Sequence, residues 1–274
     1  MISIKSFTSI GLFLLLSIVL LTGCGSKQTE GDAQGSSENS KENSSEKKTL
    51  VMATSADYPP YEFHDQSNGK DEIVGMDIDI AKIIAEELGF NLEIKDMDFT
   101  GLLPALQTGR VDFVMAGMTP AEERKKNADF SIKYFETKNA VVAKKGSNIT
   151  SAEDLKDKKV AVQLGSVQEK DVEEIAKEVS GIEMKRLNKN PEIIQELKVG
   201  RIDAAVIEGS TAKSFIQNNP DLEFNIIPKK EDKGIAIAFP KGSSHIEDFN
   251  KVIKELQDNG KIEELAAKWL SEKQ

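Results

Sequence analysis

The sequence predicts an α/β protein built of two related lobes that face each other across a cleft, and three observations carry that prediction. A strand–helix–strand–helix–strand order can be read from residue 49 onward, and it returns after residue 150. Two stretches match residue for residue in character, Leu106-Gln-Thr-Gly-Arg-Val-Asp-Phe-Val and Leu197-Lys-Val-Gly-Arg-Ile-Asp-Ala-Ala. In each, a helix stops at glycine and Arg-(Val/Ile)-Asp leads into an apolar strand. The chemically distinctive residues also gather where these strands end, and open parallel sheets place their ligands there.

Each element has its own reason. Leu50-Val-Met-Ala-Thr54 is a short apolar strand. In 76–89, Ile80, Ile83, Ile84 and Leu88 share one helical face, and Gly89 supplies the stop. Residues 91–95 alternate as a strand; Leu102, Leu103 and Leu106 mark a helix ending at Gly109; 111–116 is the third strand. The second unit reads as strand 159–164, amphipathic helix 167–179, strand 182–186, helix 191–199 and strand 202–207. Two crossings between the lobes are expected, near 134–138 and near 230–234. The expected lobes are therefore 49–135 plus 235–274, and 136–234.

The leading segment has a different character. Lys5, an apolar run from Ile10 to Leu21 and then Leu21-Thr22-Gly23-Cys24 form a signal-like h-region, too short for a membrane span. The Leu-x-Gly-Cys ending resembles the lipobox of bacterial lipoproteins, which makes 1–23 a signal peptide and Cys24 a lipid carrier; an uncleaved signal anchor is the alternative. Residues 24–48 follow as a flexible tether, for 25–47 hold no large apolar side chain and burial cannot offset their ordering entropy. A chain of that length spans roughly 25 Å. The globular part is thus expected on the outer face of the cell membrane, away from ATP and nicotinamide cofactors. A formal charge of −10 lacks the footprint of a nucleic-acid binder. The single cysteine offers no disulfide framework, and the two histidines build neither a metal-ligand cluster nor a triad.

Four arginines occur in the chain. Arg110 and Arg201 are the matched positions of the repeat, and Arg186 sits beside Lys185. Arg124 has no scaffold reason. Its planar fork suits a carboxylate as lysine cannot, and Gly117 and Thr119 add close backbone approach, an N–H and a hydroxyl. The competing reading pairs Arg124 with Glu122 or Glu123 on the surface. Gly165-Ser166-Val167 at a helix start offers backbone donors to an anion. Glu208, at the end of an apolar strand, either holds an ammonium group or caps the next helix. Tyr58 and Phe99 either stack on a ligand or belong to the core. An anion grip opposite a cation grip describes a zwitterion, an α-amino acid.

The runs from Ser55 to Phe63, Val74-Gly-Met-Asp-Ile-Asp-Ile-Ala-Lys82, 97–106 and Ala116-Gly-Met-Thr…Glu-Arg124…Asp129-Phe-Ser131 resemble the polar-amino-acid solute-binding proteins (family 3) of bacterial ABC importers. Asp258-Asn-Gly-Lys-Ile-Glu-Glu-Leu-Ala-Ala-Lys-Trp269 resembles that family's C-terminal helix. The resemblance implies a periplasmic-binding-protein-like fold, no cofactor and no catalysis. It implies a monomer that closes over one free L-amino acid and docks on an ABC permease; an enzyme or a sensor on the same scaffold is the rival. By position, Arg124 would hold the α-carboxylate with the backbone of Thr119 and Val167. Glu208 stands where the family has an aspartate for the α-ammonium, and Tyr58 and Phe99 match its aromatic sandwich. Gly117, Met118, Gln163, Ser166 and Gln168 complete the expected ligand shell. Ala121 replaces a common threonine. Ser55 replaces the aspartate with which glutamine and basic-amino-acid binders often hold the ligand's distal nitrogen. The blocks around Gly117 and Gly165 look most like those of arginine binders, so arginine or lysine is favoured, with glutamine or cystine as alternatives.

Overall fold

The structure, a computed structural model, describes residues 47–228 and 233–270. The expected signal peptide, Cys24, the tether up to residue 46 and most of the second expected crossing lie outside the described residues. No helix among the described residues is long and apolar enough to cross a membrane.

The first lobe opens with β1 (Thr49–Thr54) and a small hairpin sheet of β2 (Asp57–Tyr58), β3 (Glu62–Asp65) and β4 (Glu72–Val74). Then follow α1 (Met76–Leu88), β5 (Asn91–Asp96), α2 (Phe99–Gln107), β6 (Phe113–Val114), α3 (Glu122–Lys125) and β7 (Asp129–Phe130). After β8 (Phe135–Thr137) the second sheet begins with β9 (Asn139–Lys144). It continues through β10 (Lys159–Gln163), α4 (Val167–Glu178), β11 (Glu183–Leu187), α5 (Asn190–Lys198), β12 (Ala204–Glu208), α6 (Gly209–Gln217) and β13 (Leu222–Ile226). The chain returns by β14 (Lys233–Ile235) and β15 (Ala238–Phe239), and ends in α7 (Ile246–Asp258) and α8 (Lys261–Leu270).

The sheet orders are β5-β1-β6-β15-β7 and β11-β10-β12-β9-β13. In both, the three strands of the repeated unit pair in parallel, and the added strands are antiparallel. β8 pairs with β14, so two antiparallel strands connect the sheets. Each sheet is covered on both faces, as parallel sheets require. Leu50 and Met52 point into one apolar cluster with α1 and α7, while Ala53 and Val114 point into another with α2. The second sheet divides in the same way, Ala161 and Ala205 on one face and Val160, Val162 and Val206 on the other.

The internal repeat proves structural down to single bonds. Asp112 accepts the Val51 N–H at 2.7 Å, and Asp203 accepts the Lys159 N–H at 2.8 Å, so each aspartate pins its strand to the first strand of its own lobe. Gly109 and Gly200 end the preceding helices with φ of 68° and 74°, where a side chain would be strained. Arg110 and Arg201 point outward to Thr108 and Glu196.

Two expectations are corrected. The strand expected over 111–116 is only Phe113–Val114, because its antiparallel neighbour β15 is itself two residues long. The C-terminal run from Asp258 to Trp269 is not one helix. Asp258 closes α7, Gly260 turns the chain at φ 76°, and Lys261 opens α8. Both helices pack on the first lobe. Phe249 of α7 is fully buried among Phe90, Phe113 and Phe239 at centroid distances of 5.9, 5.2 and 5.0 Å.

Candidate functional site

A small, largely enclosed cavity lies between the sheets, where the strands of both lobes end. Eleven of the twelve residues expected in the ligand shell line it, from both lobes. The twelfth, Met118, does not. The chain turns at Gly117 (φ 52°), and the Met118 side chain is buried in the core cluster of Leu102 and Leu106. The turn demands glycine twice over, for a Cβ at 117 would lie 2.7 Å from the Tyr58 ring.

Arg124 sits on the short helix α3 and is 7 % exposed. Its guanidinium donates to the Thr119 carbonyl of its own lobe and to the Gly165 carbonyl of the other, both at 2.9 Å. The Phe99 ring lies 5.2 Å beneath its central carbon. The surface-pair reading fails, since Glu122 binds Lys125 and Glu123 binds Lys170. Among the described residues no carboxylate pairs with Arg124. Burial pulls its pKa down to about 10, with the nearby Tyr58 opposing. A buried cation with neutral acceptors on one side is short of an anion on the other.

Glu208 fills the capping role considered for it. As N-cap of α6 it accepts the Thr211 N–H at 2.9 Å, and it also lines the cavity. Burial raises its pKa, and the N–H groups of Ser210 and Thr211 oppose that rise. Tyr58 and Phe99 likewise line the cavity while packing on the core clusters of the first lobe. The helix start at Gly165 is less open than expected. The Gly165 N–H is taken by Glu169 at 2.7 Å and Ser166 caps the helix, so the first turn of α4 is left for an anion. Gln168 donates to Asn139 at 2.9 Å, which fixes its amide against β9.

Five lining residues were not expected in the ligand shell, Asp57, Glu62, Ala116, Thr137 and Ile235, and two of them are acids. Asp57 receives the Ser55 hydroxyl at 2.8 Å and, from the other lobe, the Asn190 N–H at 2.7 Å and the Gln163 amide at 3.3 Å. Burial raises its pKa, with the Asn190 N–H as the chief opposing influence. Ser55 thus stands where an acid was expected, and an acid two residues on leans against its hydroxyl. Glu62, on β3, is fully buried at the cavity wall, and neither of its oxygens receives a donor from any described residue. Burial, then the neighbouring Asp77, pushes its pKa well above the carboxylate range. The turn sequence around Asp57 could have flagged it; Glu62 carried no signal, because the hairpin that buries it was not legible.

Two lobes of this topology around a cavity with one unpaired guanidinium and several carboxyls define a cleft-type binding protein for a small charged solute. Residues 50–272 match the bacterial extracellular solute-binding proteins, family 3, and the chain belongs to that family. It is 44 % identical to the arginine-binding extracellular protein ArtP of Bacillus subtilis (strain 168), over 92 % of each chain. It is 32 % identical to the ABC transporter glutamine-binding protein GlnH of the same organism, over 98 % of each. A solved structure of an ancestral arginine-binding protein bound to arginine is 44 % identical, with a TM-score of 0.76 over 82 % of this chain and 99 % of that one. The chain is an amino-acid-binding protein of the ABC-transporter type, and its family and relatives bind substrates rather than transform them.

Proposed function

We propose that the chain binds arginine in this cleft and, anchored outside the cell membrane by a lipid on Cys24, delivers it to an ABC permease. One observation carries the choice of ligand: three carboxyl groups, Asp57, Glu62 and Glu208, line the cavity together with one guanidinium, Arg124. Arg124 with the backbone of Thr119 and Val167 takes the α-carboxylate, and Glu208 takes the α-ammonium. Tyr58 and Phe99 flank the side chain, with Ser55, Gly117, Gln163, Ser166 and Gln168 closing the wall. Asp57 and Glu62 remain, and a second positive charge on the ligand satisfies them. Glutamine brings no second cation to them, and the second ammonium of cystine arrives with a second carboxylate, an unfavourable neighbour for buried acids. Arginine-binding relatives at similar length support the reading. Residues 49–135 with 235–274 and 136–234 act as the two closing lobes, which makes closure the state that a permease, or in the rival reading a sensor, recognises.

A thermal-shift screen against arginine, lysine, glutamine and cystine tests the ligand. At a hundredfold excess over Kd the right one stabilises the protein by about 2.7 kcal/mol. A shift with glutamine or cystine and none with arginine or lysine rejects the reading. Cys24→Ser should release the protein from the membrane fraction into the medium.

A further inference from the structure

We infer that Glu62 and Asp77 share a proton behind the ligand cavity, and that the guanidinium of an arriving arginine expels it. This rests on the arginine reading and adds to it that binding is proton-linked and tightens as pH rises.

The geometry is that of an acid pair. Glu62 on β3 and Asp77 on α1 are both fully buried. One Asp77 oxygen accepts the Gly117 N–H at 3.0 Å; its other oxygen, like both oxygens of Glu62, receives no donor from a fixed N–H among the described residues. The two carboxyls are each other's hydrogen-bonding neighbours, and the Tyr134 hydroxyl is a second such neighbour of Asp77. Two carboxyls bond to one another only when one keeps its proton, and like charges at such a site cannot both ionise. The facing groups add no cation. They are Asp57 and Tyr58 from β2, Asp96 from β5 and Tyr134 from the segment before β8. Burial holds Asp77 up at about 6, with the Gly117 N–H opposing, and burial likewise raises Glu62 well above its ordinary value, with Asp77 adding to the rise.

Glu62 reaches the cavity and Asp77 does not. A guanidinium laid against Glu62 supplies the missing cation, favours the ionised form and sends the proton to solvent. The Gly117 N–H keeps the Asp77 oxygen occupied meanwhile, so the turn beside Tyr58 need not move. Glu208 is an unsuitable source, since the N-terminus of α6 already donates to its carboxylate.

Calorimetry of L-arginine binding in phosphate and in Tris at one neutral pH tests this. The wild-type protein should release about one proton per arginine, and Kd should fall by up to about tenfold per pH unit while the pair titrates. E62Q should bind arginine more weakly and without that release. Binding heat independent of the buffer, or full release from E62Q, overturns the inference and leaves the arginine reading standing. No binding of arginine overturns both. Should E62Q fail to fold or bind, an infrared difference spectrum of the wild type decides. Loss of a protonated-carboxyl band on adding arginine supports the shared proton, and an unchanged band refutes it.

Discussion

Replacing Arg124 with alanine tests the site most directly. A guanidinium has five N–H donors, of which one goes to Thr119 and one to Gly165. The remainder can meet a carboxylate in a fork, with each charge-assisted bond worth about 1.5–3 kcal/mol net. Removal also strands the ligand's carboxylate in a buried site, and breaking such a pair costs about 3–5 kcal/mol. The two routes agree in size. At about 1.4 kcal/mol per decade, arginine affinity should fall by roughly two to three and a half orders of magnitude, as measured by titration calorimetry. Arg124→Lys, which keeps the charge and loses the fork, should fall in between. The unliganded protein should not melt much earlier, because the mutation removes a desolvated charge along with its two carbonyl contacts. An R124A protein that binds arginine within about fivefold of wild type refutes the carboxylate grip.

Other substitutions separate cavity chemistry from scaffold. Glu208→Gln keeps an oxygen for the Thr211 N–H and loses the charge, so affinity should drop roughly 10- to 100-fold with melting nearly unchanged. Glu208→Ala should also cost about 1 kcal/mol of stability through the lost cap, read in denaturant melts. Gly117→Ala meets the Tyr58 ring at positive φ and should lower stability by about 1–3 kcal/mol while weakening binding. For Asp77, the folded pKa of about 6 lies above the usual 3.8, so the folded state holds the proton more tightly. Its contribution to stability is complete below about pH 4 and is lost as pH rises through 6, by up to about 3 kcal/mol. Asp77→Asn should flatten that slope in urea titrations; an unchanged slope places the titration elsewhere.

How far the sequence reached depended on the range of the forces involved. The repeat was legible because its signals are local: an apolar period, a glycine stop and an aspartate after an arginine. Arg124 was legible because no scaffold role accounted for it. The hairpin of β2, β3 and β4 was not, because strands of two to four residues have no period to read, and Glu62 was hidden with it. Strand β9, Asn-Ala-Val-Val-Ala-Lys, is a plain apolar run whose antiparallel place depends on the crossing before it. Asp57 owes its position to Asn190, 133 residues away in the chain, so no window of sequence could have assigned it. Met118 was misplaced because one positive φ at Gly117 decides which side of the turn faces the cavity.

Asp57 also bears on how the cleft closes. Its carboxylate crosses from the first lobe to the N-terminus of α5, where the helix dipole favours an anion, while Arg124 reaches the other way to Gly165. Both bonds join the two lobes directly. A ligand shifts the lobe equilibrium only through contacts that differ between open and closed forms, so protein-made latches set the starting point from which it works. Asp57→Ala removes one charge-assisted bond, worth about 1.5–3 kcal/mol, and should weaken binding accordingly and enlarge the free protein in small-angle scattering. Were Asp57 only a latch, arginine and a neutral ligand such as glutamine would lose affinity equally, because closure is common to both. Were it only a partner for the distal cation, the loss would fall on arginine alone and the scattering would not change. Its bonds to Asn190 and its place on the cavity wall predict both effects at once: a more open free protein and a larger loss for arginine than for glutamine.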